Sequence, residues 1–296
     1  MTTVFRCCLW AGLFTGWWVN SMAQPLQNEA IRQELAFVRH LMQQKAYLDA
    51  KWVTQKLKTN LGTDSRYQDT INYLMGWNHY RLRNLDSVPQ YLNQVTSPPV
   101  LQQKSLFYSS LANAYGFHFE AARSSLANIP LGQDPKLAGL HNLQKAGLAL
   151  LQRDTAQFRR LSQNFTDASF TYVSQQNNFL KYYNKIKERK AKSAFLSGLY
   201  SALIPGMGKM YLGKKGEAIS SFLLTSIFAG LTYENYRRLG IQNGQTIIFG
   251  GIFSVVYIGN IWGSVIKTKI RQDEFNFYMN EQILVDMHLA LRTYYD

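Results

Sequence analysis

From Leu239 to Ile266 the chain runs for 28 residues without a charged side chain, and no other feature restricts its fold so tightly. An α-helix rises about 1.5 Å per residue, so the part from about Gly244 to Ile266 is long enough for the ~30 Å hydrocarbon core of a bilayer. In lipid each backbone N–H and C=O must be bonded internally, which makes a helix the expected form. A second charge-free stretch, the 16 residues from Ala218 to Tyr233, spans as well if Tyr236 and the charged ends sit in the interface. The stretch YENYRRLGIQNGQ between them is long enough only for a hairpin turn.

A third apolar stretch, Ser193 to Gly208, is interrupted. Pro205 inside a helix costs about 3 kcal/mol, and Lys209 at a bilayer centre would cost roughly 2.5–3.5 more. The expected form is a half-helix from Phe195 to Ile204, broken at Pro205-Gly206 and turned by Gly208. Lys209 and the Tyr211 to Lys215 turn then return to an interface, and the hairpin that follows must cover the broken backbone. If residues 193–212 cross the membrane, the favoured form, the C-terminus lies inside; if they are re-entrant, it lies outside.

The run Pro205-Gly206-Met207-Gly208-Lys209-Met210-Tyr211-Leu212-Gly213, followed by Lys214, Lys215 and Gly216, resembles the signature of the small TM2-like membrane domains. In that family a glycine-rich segment with a Tyr-Leu-Gly turn precedes a membrane helix, and Ile261-Trp262 is similar to a pair found late in it. The resemblance covers residues 193–266 and implies architecture more than activity. Pro205 departs from the family's smooth first helix, and Asn260 is the nearest polar group to its missing acidic residue. Gly251, Gly259 and Gly263 share one face beside Asn260, a pattern that lets helices approach closely within the hairpin or between protomers.

An excess of 32 Lys+Arg over 18 Asp+Glu gives a net charge of +14, which points to an anionic partner surface. KYYNKIKERKAK, residues 181–192, sets six basic side chains against Glu188 immediately before the apolar region. Lys185, Lys187, Arg189, Lys190 and Lys192 are therefore expected to contact anionic membrane lipids. Nucleic acid would need basic residues interleaved with exposed aromatics on a soluble face, so no nucleic-acid partner is expected. After the membrane region, residues 267–296 read as an amphipathic helix. Its apolar face is Ile283, Leu284, Met287 and Leu291, and docking on the hairpin is favoured over lying on the interface.

The other half is patterned differently. From Asn28 to about Lys192 apolar residues recur at three- and four-residue spacing, with Pro98, Pro99, Pro130 and Pro135 between the periodic segments. Residues 71–95 superimpose on 105–129: Tyr80 falls near Tyr115, Leu85 on Phe119, Val88 on Ala122 and Leu92 on Leu126, a period of 34 to 35 residues. An earlier copy (37–57) puts Tyr47 and Ala50 at the positions of Leu85 and Val88, and a degenerate one covers 143–161. Paired helices cannot bury their apolar faces alone, so small residues such as Gly76, Ala112 and Ala122 admit close approach and the next unit completes the core. This half resembles the tetratricopeptide repeat family, with about four units. The resemblance implies a groove for a peptide or protein, with Asn78, Tyr80, Asn113 and Tyr115 as groove residues; the tyrosines also fit a core.

Residues 1–23 carry Arg6, an apolar run from Cys7 to Val19, and Ser21 and Ala23 before Gln24, the pattern of a signal peptide cleaved after Ala23. Cys7 and Cys8 are the only cysteines, so the mature chain is expected to have no disulfide, thiol chemistry or cysteine-bound zinc. The five histidines show no HExxH spacing, and GxSxG, P-loop and dinucleotide signatures are absent from the sequence. Metal, cofactor and catalytic residues are accordingly expected to be none.

The expected fold is all-α: a helical-repeat solenoid over 24–180, a basic hinge over 181–192, a membrane domain of two or three helices over 193–266, and the amphipathic helix. The expected function is a non-enzymatic scaffold in a bacterial inner membrane, with periplasmic repeats that recruit an envelope protein for translocation, insertion or assembly. The alternative is a small transport or lipid-handling protein that works as a homo-oligomer through its membrane helices.

Overall fold

The computed structural model describes residues 29–61, 66–165 and 170–295, and the expected signal peptide lies outside them. Among the described residues the chain is helical without any strand. It divides into two units, Met1–Leu180 with Leu284–Asp296, and Lys181–Ile283.

The first unit begins with α1 (residues 29–43), α2 (Tyr47–Leu61), α3 (Gln68–Arg81) and the short α4 (Val88–Leu92). It continues through α5 (Pro99–Tyr115), α6 (Phe119–Ala127), α7 (Pro135–Leu151), α8 (Thr155–Ser162) and the first half of α9 (Val173–Glu188). From α2 to α8 each helix packs against the next in the chain. Pro89, Pro99 and Pro135 all stand in first turns, where the missing N–H removes no helical bond.

One turn recurs four times. Lys45, Arg83, Phe117 and Arg153 have φ of 62°, 59°, 58° and 59°, the left-handed conformation that costs a non-glycine residue about 1–2 kcal/mol. The residue after each donates its N–H five residues back at 2.9 Å: Ala46 to Leu41, Asn84 to His79, His118 to Asn113, Asp154 to Ala149. Each left-handed residue itself donates three residues back, at 3.0–3.1 Å. This pair of bonds is the Schellman closure, and it satisfies carbonyls that a helix end otherwise leaves open.

Burial follows the same register. Five residues beyond the left-handed position stand Ala50, Val88, Ala122 and Phe158, each with no exposed surface. Four further on, Thr54, Leu92 and Leu126 are also fully buried, and the first helices answer with the small or slender Val38, Gly76, Ser110 and Ala146. A Cβ on Gly76 would overlap the Leu92 side chain, and the Ser110 hydroxyl donates to the Ala122 carbonyl at 2.9 Å. Close helix approach is therefore built into each pair.

The second unit holds α10 (Ala194–Leu203), α11 (Met207–Tyr211), α12 (Lys215–Leu239) and most of α13 (Gly244–Tyr295). Ser193 caps α10 by accepting from the Leu196 N–H. The ten residues of α10 rise about 15 Å, half the hydrocarbon core, and α11 has only five, so neither crosses a bilayer alone. Ile204 is extended ahead of Pro205, and Gly206 makes the turn at φ 87°. Gly208, expected to turn the chain, instead lies inside α11. A Cβ there would strike the Ser197 carbonyl and the Ser201 hydroxyl and come within 2.9 Å of Ser264 Cβ.

Residues of α10 and α13 together satisfy the broken backbone. Tyr257 donates its hydroxyl to the Ala202 carbonyl, Ser197 donates to the carbonyls of Gly208 (3.3 Å) and Ser264 (3.2 Å), and Ser201 and Ser264 share a 2.7 Å hydroxyl contact. The Gly208 N–H donates to Ser201 Oγ at 3.1 Å. No break separates residues 244–266 from the expected C-terminal helix; both belong to one helix of 52 residues.

Candidate functional site

Two places gather chemistry, one in each unit. In the repeat unit the final turns of α13 lie along the first helices of successive pairs. Leu284, Met287, Ala290 and Leu291 are buried to 2% exposure or less. Gln144 of α7 donates to the Met287 carbonyl at 2.8 Å, and the Met287 side chain occupies the space that a Cβ on Gly147 would need. His288 Nδ1 lies 2.6 Å from the Tyr80 hydroxyl of α3, with the two rings stacked. Tyr295 meets Phe107 and Tyr108 of α5, while Lys104 stands over both Tyr295 and Trp77. The docking expected on the hairpin is thus found on the repeats for residues 284–295.

Electrostatics close the edge of this contact. Tyr294 donates to Asp134 Oδ2 at 2.6 Å, which lowers the Asp134 pKa, while burial and the neighbouring carboxylate push Tyr294 up to about 12. Asp134 also caps α7 through the Lys136 N–H. Burial raises the Tyr295 phenol well above its ordinary range.

The residues expected to form a groove lie inside this unit. Asn78 is fully buried with neither amide atom hydrogen-bonded, Asn113 is 7% exposed, Tyr80 is 9% exposed beneath His288, and Tyr115 is half-buried. They do not line an open surface. His288, Gln144 and Lys104 carry no sequence signal for this contact; the Ile283, Leu284, Met287 and Leu291 face was the visible one.

In the second unit a cleft of about 440 Å³ is lined by Arg189, Lys190, Lys192, Leu212, Arg271 and Phe275, among others. The Arg189 guanidinium lies 3.8 Å from the centre of the Phe275 ring and donates to the Arg271 carbonyl at 3.3 Å. Burial and the Arg271 charge both lower its pKa. Arg271 donates to the Leu212 carbonyl at 2.6 Å, and Lys192 sits 4.4 Å over the Tyr211 ring. Among the described residues no carboxylate lies within ion-pair distance of these four cations, although Glu274 lines the same cleft. Lys185 and Lys187 are exposed on α9 and do not line it.

The remaining expected residues separate into filled and open positions. Lys209 donates to Ser221, and Lys267 pairs with Glu217. Gly213 ends the α11 turn at φ 83°. Gly251, Gly259 and Gly263 face open space, whereas Asn260 is buried with its amide unpaired. Close packing falls instead on Gly198, where a Cβ would approach Val265 to 2.7 Å. Within α13 one segment is long and apolar enough to cross a membrane, and it is the one such helix among the described residues. Comparison with family models, curated proteins and solved structures finds no match for this chain.

Proposed function

We propose that the protein is a non-enzymatic scaffold of a bacterial inner membrane, with tetratricopeptide-like repeats that bind an envelope protein and a TM2-like hairpin that anchors them. The observation that carries the reading is the turn repeated at Lys45, Arg83, Phe117 and Arg153, with equivalent buried positions in each pair. Stacked pairs of this kind build a continuous core and an extended binding surface. The first pair also leaves Phe37, Leu48 and Trp52 exposed at 51%, 55% and 66%, and tryptophan is among the residue types enriched where protein contacts are anchored.

Burial of Leu284, Met287 and Leu291 within the repeat unit supports a C-terminus on the same side as the repeats, hence an even number of crossings. The short α10 and α11 fit a re-entrant segment, with α12 and α13 as the spanning pair; this reverses the single crossing favoured by the charge pattern. The N-terminal export pattern assigns the shared side to the periplasm, against the positive-inside bias of Lys214, Lys215, Lys267 and Lys269. Reporter fusions after Lys192, Arg238 and Asp296 test this: the first and last should read periplasmic and the middle one cytoplasmic. The opposite signs would overturn the periplasmic placement, and unlike signs at Lys192 and Asp296 would overturn the even count.

A photoreactive residue at position 52 tests the scaffold itself in native membranes. One discrete protein adduct, absent when the probe stands at Ile258, is expected; no adduct at position 52 would overturn protein recruitment. The oligomeric transport reading draws on the open Gly251, Gly259 and Gly263 stripe. Gly259→Cys should remain unlinked under oxidation if the scaffold acts through a single membrane hairpin, and efficient dimer formation would favour the alternative.

A further inference from the structure

We propose that the cleft between Arg189 and Arg271 is a binding site for one phosphate group, supplied by the headgroup of an acidic phospholipid. The proposal rests on the membrane reading above and names the ligand of one site within it.

Two guanidiniums and two ammoniums face a cleft of about 440 Å³ without a carboxylate in ion-pair reach. Gathering like charges is unfavourable unless an anion joins them, and a tetrahedral phosphate offers several acceptors to guanidinium forks. The side chains are also held in place. Arg189 is clamped on the Phe275 ring and the Arg271 carbonyl, Arg271 on the Leu212 carbonyl, and Lys192 on the Tyr211 ring. Gln272 fixes the local backbone by donating to the Lys192 carbonyl at 2.7 Å. Preorganised donors lose little entropy when a ligand arrives, which separates this cleft from the exposed Lys185 and Lys187 outside it, of which Lys187 has only a longer ring contact, 5.8 Å to Tyr183.

The position selects a lipid over a free anion. Arg271 follows the apolar stretch of α13 by about one turn, and Lys192 precedes α10 by two residues, so the cations stand at the polar ends of two apolar helices. Phe195, Ile266 and Ile270 are exposed at 75%, 50% and 48% beside them, apolar surface suited to the first segments of acyl chains. Ile270 also lines an adjoining cleft of about 570 Å³ together with Lys214 and the Glu217–Lys267 pair.

The test is native mass spectrometry of the full chain in detergent, titrated with phosphatidylglycerol, with phosphatidylcholine, and with inorganic phosphate. One tight phosphatidylglycerol adduct is expected, at least tenfold favoured over phosphatidylcholine. The charge-preserving double variant Arg189→Lys with Arg271→Lys should lose most of that preference, because ammonium cannot reproduce the fork. The double variant Lys185→Gln with Lys187→Gln should keep the adduct despite its lower charge. Equal loss in both variants, or none in the arginine pair, would overturn the site and leave only diffuse attraction. Tight binding of inorganic phosphate without lipid preference would overturn the lipid assignment. Failure of membrane insertion is read separately, by alkaline extraction of native membranes, and the single variants with thermal melts distinguish lost binding from lost folding.

Discussion

Tyr80 and His288 stand 208 residues apart in the chain, yet their side chains share a 2.6 Å hydrogen bond and a stacked ring contact. The contact ties the last turns of α13 to the first helices of the repeats, and its loss should register as lost stability. Tyr80→Phe should cost about 1 kcal/mol, the net worth of one hydrogen bond. Met287→Ala should cost roughly 2–4 kcal/mol, since its buried side chain fills the space over Gly147. Denaturant unfolding followed by tryptophan fluorescence measures both, and unchanged midpoints would mean that the segment does not dock.

Glycines in the second unit should divide sharply. Gly208→Ala drives a methyl group into the Ser197 carbonyl and should abolish accumulation of folded protein in membranes. Gly263→Ala meets open space inside α13 and should leave stability unchanged or raise it by up to about 1 kcal/mol, since alanine is the better helix former. Thermal melts of the detergent-solubilised variants provide the comparison, and equal effects would count against the packing described around α11.

Arg83→Gly should stabilise the repeat unit. Its φ of 59° is strained for arginine and free for glycine, and the exposed side chain buries nothing. After subtracting the larger unfolded-state entropy of glycine, a gain of about 0.5–1 kcal/mol is expected. A lowered denaturation midpoint would show that this conformation is not the one the chain adopts.

Acidification should loosen the repeats through His141. Its Nε2 lies 3.0 Å from the Leu126 carbonyl, which can only accept, so that nitrogen carries the proton in the neutral ring. Burial lowers the His141 pKa below 6.5, with Lys145 adding to the shift and the hydrogen bond opposing it. The folded state therefore binds its second ring proton less readily than the unfolded chain. Stability from the neutral ring is present above pH 6.5 and declines as pH falls through the lowered value. His79, also lowered by burial, acts in the same direction. Unfolding midpoints at pH 7.5 and 5 should differ less in His141→Gln than in the parent.

The helical class and the Pro205-Gly206 break were readable because each rests on local chemistry: spacing of apolar residues in one case, a missing N–H in the other. The repeat register was readable from Val88 and Ala122 but its turns were not, since the left-handed positions hold Lys, Arg and Phe. Gly116 even offers the expected glycine one residue too early, with φ at −81° and Phe117 taking the strained angle. Of the expected groove residues, Tyr80 looks solvent-facing until His288, 208 residues away in the chain, stacks on its ring, and the burial of Asn78 is likewise not visible from its side chain alone. Of the cleft, the basic run 189–192 was visible, whereas Arg271 belongs to it only through tertiary folding. The Gly251, Gly259 and Gly263 pattern does not mark contact within this chain for a related reason: absence of a side chain permits close approach without requiring it.

Coverage of the repeat face by residues 284–295 changes what an affinity measured there would mean. The covering segment is part of the same chain, so it is present at an effective concentration on the order of millimolar regardless of dilution. A helix offered in trans to that face would bind with its intrinsic dissociation constant divided by the fraction of time the face is bare, and so more weakly. Removing Leu284 onward would therefore tighten such an interaction while weakening the fold, and the two effects would be read from one truncation.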